Sequence, residues 1–123
     1  MRDLLNQLQR VGNDLANLNY QLQLDREALA LREATISLAI LDARNETGKP
    51  LYSNETARAA ALTIRLNEDA EYRIQQAAIR NAERERGHLQ ALLEQLRGLF
   101  KVELLERQEA IAINANAASG ASL

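Results

Sequence analysis

Leu8, Leu15, Leu22, Leu29, Ile36 and Ala43 stand seven residues apart, with Leu4, Val11 and Leu18 interleaved at the complementary heptad position. Only a 3.6-residue period returns those side chains to one face, so the first third of the chain is committed to one long helix with an apolar seam. The interleaved column then turns polar, passing through Asp25 and Arg32 before it reaches Ala39. From that point a second column opens at Leu24, Leu31 and Leu38, again seven apart, with Ile40 and Leu41 widening the apolar surface. A helix that is apolar on two sides must be covered on two sides.

The strongest breaker cluster is Asn45-Glu46-Thr47-Gly48-Lys49-Pro50. Gly48 can take positive φ and Pro50 cannot continue a helix, so the first helix is expected over about residues 3–44, with a turn over 45–53. Ser53 or Asn54 then offers an N-cap, and Glu55 faces the positive end of the next helix. At 100° per residue, Ala57, Ala60, Ala61, Ile64, Ala78, Ala82, Leu89, Leu93, Leu96 and Phe100 keep one phase, with Tyr72 and Ile79 on or beside that arc. This predicts one long helix over about residues 54–112, with a weak point at Asn67-Glu68-Asp69. Residues 114–123 are uncharged, small and non-periodic, and are expected to form a flexible tail. Residues 1–113 thus read as an all-α antiparallel helical hairpin, with rods of roughly 63 Å and 88 Å at 1.5 Å per residue. Such a hairpin cannot cover both apolar columns of its first helix, and pairing two chains as a four-helix bundle or coiled coil does.

Composition narrows the chemistry. Aromatic residues make up 3% of the 123, so the core is built from Leu, Ile and Ala. The 46% hydrophobic content is too high for the disordered class, and no apolar run of about 18 residues is present to span a bilayer. There is no Cys and a single His, which removes thiol chemistry and most metal and acid–base chemistry. No cofactor, no metal site and no enzymatic activity are expected. The N-terminus turns polar before a signal sequence could form, making the cytoplasm the expected location. A net charge of -2 argues against a bulk grip on nucleic acid or anionic lipid.

Two constellations stand out. Arg58, Arg65, Arg73, Arg80 and Arg84 share an outward arc of a continuous helix, the residue type suited to phosphate forks. From residue 58 to 86, however, six Arg meet five acidic residues. A solvated face with ion pairs four residues apart is therefore the preferred reading. The second constellation is a polar belt within the seams. If the hairpin turns near residue 49, facing residues sum to about 98–103, placing Arg32 near Glu71 and Asp25 near Gln75. Polar groups so placed in a bundle commonly fix register and partner choice. His88 has only Glu85 as a neighbouring ligand type, and Asn45-Glu46-Thr47 and Asn54-Glu55-Thr56 match glycosylation acceptors that turn and cap chemistry already explains.

The stretch from Asn45 to Glu55, followed by Arg58, a Leu66–Tyr72 segment and a Leu-rich helix, resembles small uncharacterised helical proteins of phage and prophage gene clusters over roughly residues 40–105. The resemblance implies an accessory role beside replication and recombination enzymes. The leading expectation is a non-enzymatic structural or protein-interaction module, a homodimer with an unidentified protein partner and no membrane association. A nucleic-acid-associated accessory protein of phage type is the alternative.

Overall fold

The computed structural model describes the backbone of residues 1–121 and the side chains of residues 1–117. Within that range the protein is all-α, with three helices: α1 (Arg2–Asp42), α2 (Glu55–Glu68) and α3 (Ala70–Ala121). The chain divides into two compact units, Leu18–Glu85 and Met1–Asn17 with Arg86–Leu123.

In the Leu18–Glu85 unit, α1 and the returning α2 and α3 form a hairpin. Arg26 pairs with Glu83 and Arg32 with Asp69, so the partner's number falls as α1 advances and the helices run antiparallel. The heptad column faces inward, with Leu22 1% exposed and Leu29, Ile36 and Ala43 half-buried; at its end Ile40, expected beside the second column, is buried at 2%, while Ala39 of the interleaved column is exposed. Each fully buried side chain of this size contributes about 1.5–3 kcal/mol. Ala61 and Ile79 close the seam from the return side.

The loop between α1 and α2 is held by its own groups. Asn45 Oδ1 accepts from the backbone N–H of Thr47 and Lys49 and from the Thr47 hydroxyl. Arg44 and Pro50 form an isolated antiparallel bridge, and Gly48 turns the chain at φ 81°, a conformation that a Cβ disfavours. Asn54 then caps α2, its Oδ1 accepting from Ala57 N at 2.8 Å.

The expected weak point is a complete interruption of one residue. Asp69 is extended (φ -80°, ψ 107°), its N–H donates to the carbonyls of Arg65 and Leu66, and its Oδ1 accepts from Tyr72 N at 3.0 Å. It therefore ends α2 and caps α3. The inward face nevertheless keeps its three- and four-residue spacing across the break, through Ala61, Arg65, Asp69, Tyr72, Gln76 and Ile79, and the expected arc loses members at one edge on both sides of it. Ile64 is 56% exposed, and Ala60 and Ala78 are exposed, whereas Ala61, Ala82 and Leu96 face inward.

In the other unit Val11 and Leu96 are buried, and Leu4, Leu8, Leu15, Leu89, Leu93 and Phe100 are half-buried. The Met1 ammonium meets Glu103 at 2.6 Å. The segment expected to be a tail is helical as far as Ala121. Ala115, Ala117, Ala118 and Ala121 carry the highest helix propensity and no Pro interrupts them, which the absence of an apolar period had concealed. Ser122 and Leu123 lie outside the described residues.

Candidate functional site

The polar belt assembles around Arg32. Position 32 belongs to the seam column, yet an Arg there has too long a side chain to end in the core, and its guanidinium emerges beside the α2–α3 break. Nε and Nη2 donate to both carboxylate oxygens of Asp69 at 2.8–3.1 Å, and Nη1 meets Glu71 Oε2 at 2.9 Å. The side chains of Arg32, Asp69 and Glu71 are 33%, 16% and 63% exposed. The belt is thus half-buried at its Asp69 side and open at Glu71.

Backbone donation from Tyr72, followed by the Arg32 hydrogen bond, holds the Asp69 carboxyl below its ordinary value against the opposing effect of desolvation. Arg32 is held above its ordinary value, chiefly by the hydrogen bond to Asp69. Both charges are locked, and neither group is poised to exchange a proton near neutrality.

Glu71 lies where the facing rule puts it, but Asp69 is the closer and better-buried partner. The sequence places Asp69 in the Asn67-Glu68-Asp69 weak point rather than in the belt. The signal was present, since 32 and 69 also sum within the expected range. Asp25 and Gln75 border one small hollow with Ala28 and Ala78, and they form no hydrogen bond with each other. Asp25 accepts from Gln21 Nε2 at 2.9 Å, and the buried Gln75 Oε1 has no partner among the described residues. The four belt residues therefore split into an ionic cluster and an unjoined pair.

The second apolar column of α1 is uncovered. Leu24, Leu31 and Leu38 are 41%, 69% and 60% exposed. A shallow groove beside Leu31 is lined by Ala28, Arg32, Thr35, Ile36 and Gln75.

The arginine stripe is divided by the break at Asp69. Arg58 turns back to donate to the Tyr52 carbonyl at 3.4 Å, and Arg65 is half-buried beside Ala61 and Glu68. Arg73, Arg80 and Arg84 remain exposed on one face of α3. Among the described residues none of the five lies within 4.0 Å of a carboxylate, so the ion pairs expected along this face do not form. Glu83, a nearby candidate, is engaged by Arg26 at 3.0 Å. His88 is exposed, and among the described residues no group of three or more His, Cys, Asp or Glu could hold a metal ion. Among the described residues no helix is long and apolar enough to cross a membrane.

Comparison of the chain with models of known protein families, with curated proteins and with solved structures finds no match.

Proposed function

We propose that the protein is a non-enzymatic interaction module that works as a homodimeric helical bundle and presents its helices to another protein. The observation that carries this reading is the α1 surface: its first apolar column is satisfied within the chain while Leu24, Leu31 and Leu38 stand in solvent at heptad spacing. A periodic apolar stripe left in solvent opposite a filled seam is a packing surface. The Arg32–Asp69 pair of the polar belt supports the same reading, because a locked charge pair of this kind fixes register. Sedimentation equilibrium from micromolar to millimolar concentration tests it. The expected mass rises toward twice 13.7 kDa with concentration; a constant 13.7 kDa would overturn the reading.

A second reading, a nucleic-acid-associated accessory protein, is favoured by one observation: Arg73, Arg80 and Arg84 face outward without carboxylate partners among the described residues. A salt titration of DNA binding separates the two, since phosphate contacts impose a log–log salt slope.

A further inference from the structure

The exposed face of α1 is self-complementary when reversed. Counting outward from Leu31, Ala28 and Ala34 lie three residues away on either side, Leu24 and Leu38 seven, and Tyr20 and Asp42 eleven. All seven are exposed, and all belong to the Leu18–Glu85 unit. At 100° per residue, Tyr20, Leu24, Leu31, Leu38 and Asp42 fall within an arc of about 40°, and Ala28 and Ala34 flank it at about 60° on opposite sides. Like residues at equal distances on both sides of a centre make the face match its own reversed copy, large side chains level with large and small with small.

Building on the homodimer reading, we propose that this stripe is an isologous interface: α1 of a second copy packs antiparallel on it, with the two-fold axis passing at Leu31. Leu24 then meets Leu38 of the second copy, Ala28 lies level with its Ala34 on the opposite flank, and the Tyr20 hydroxyl reaches the Asp42 carboxylate at both ends. A hydroxyl donating to a carboxylate is a charge-assisted bond, and symmetry makes two of them.

Charge decides between the two directions. In a parallel pair each residue meets its own copy, so Glu27 would face Glu27 and Asp42 would face Asp42, like charges at one height. In the antiparallel pair Glu27 faces Thr35 and Asp42 faces Tyr20. Area sets the strength. The stripe from Tyr20 to Asp42 is about 33 Å long at 1.5 Å per residue, and helix contacts are about 10 Å wide, giving a footprint of about 330 Å² per copy. Stable complexes bury about 1,200–2,000 Å² in total, so this contact is reversible and concentration-dependent.

The chain has no Cys, so single cysteines report the geometry directly. Leu24→Cys, Leu31→Cys, Leu38→Cys and, as a remote control, Ile113→Cys are oxidised mildly at concentrations where the wild type is dimeric by sedimentation. All four positions are exposed, and the variants should fold. The expected result is a rapid covalent dimer of Leu31→Cys alone, and of Leu24→Cys only when mixed with Leu38→Cys. Equal self-linking of Leu24→Cys, Leu31→Cys and Leu38→Cys would mean a parallel pair and overturn the inference. A dimeric wild type in which no α1 cysteine links faster than Ile113→Cys would place the dimer on another face, overturning this geometry while keeping the homodimer. A wild type that stays monomeric to millimolar concentration would overturn both.

Discussion

At the residue scale the informative side chain is Asp69, which holds three relations at once: it ends α2, caps α3 through Tyr72 N, and receives Arg32. Its carboxyl is held below the ordinary value, near ~3.9 for aspartate, so the folded state binds the proton less readily than the unfolded chain. Stability from this group is therefore complete above that ordinary value and is lost as pH falls from it through the lowered folded value. Asp69→Asn keeps a good cap but loses the charge. The expected result is lower stability at pH 7 and a flatter urea-midpoint profile below about pH 4; an unchanged acid profile would show that the carboxylate contributes nothing. Asn54→Ala removes a single cap with no ionic role and should cost about 1 kcal/mol in urea melts. The cap at Asn54 was legible in the sequence because capping is local chemistry. The Arg32–Asp69 pair was legible only as a range of facing residues, because choosing Asp69 over Glu71 requires knowing where the returning chain kinks.

At the scale of elements, the heptad columns separate into a filled seam and an open face, and mutations should obey that division. Leu22→Ala empties a site that is 1% exposed and should cost about 2–5 kcal/mol. Leu31→Ala, at 69% exposed, should change the stability of the monomer by less than about 0.5 kcal/mol. Urea melts at low concentration read both, and comparable losses would mean that the outer column is covered within the chain. α1 was legible almost to its ends because one seven-residue column, Leu8 to Ala43, runs its length without a helix breaker. α2 and α3 were legible as helices and largely as a phase: Ala57, Ala61, Tyr72, Ile79, Ala82, Leu89, Leu93, Leu96 and Phe100 face inward, and Ala60, Ile64 and Ala78, at one edge of the expected arc, are exposed. An apolar period announces a helix and its buried face together. The Ala-rich end of α3 shows the converse, a helix supported by propensity without an apolar face to announce it.

At the scale of the whole molecule, the question is whether the outward arginines outweigh a net charge of -2. Arg73, Arg80 and Arg84 span about 17 Å at 1.5 Å per residue and can neutralise at most three phosphates in one copy. Three contacts give a log–log salt slope of about -2.7 on duplex DNA, against the steeper slopes of proteins that make about 6–10 such contacts. Tripling the salt from 50 to 150 mM then weakens binding about twentyfold, from an affinity already limited by so few contacts. The expected outcome is detectable association with duplex DNA only at low ionic strength, none at 150 mM, and complete loss when Arg73, Arg80 and Arg84 are changed together to Gln. Arg58→Gln and Arg65→Gln should have no effect, since these two are half-buried on α2 and one already donates to Tyr52. Fluorescence anisotropy across a salt series measures all of this. Tight binding at 150 mM that requires Arg58 and Arg65 as well would mean that the five arginines act as one surface, and the nucleic-acid reading would displace the interaction module.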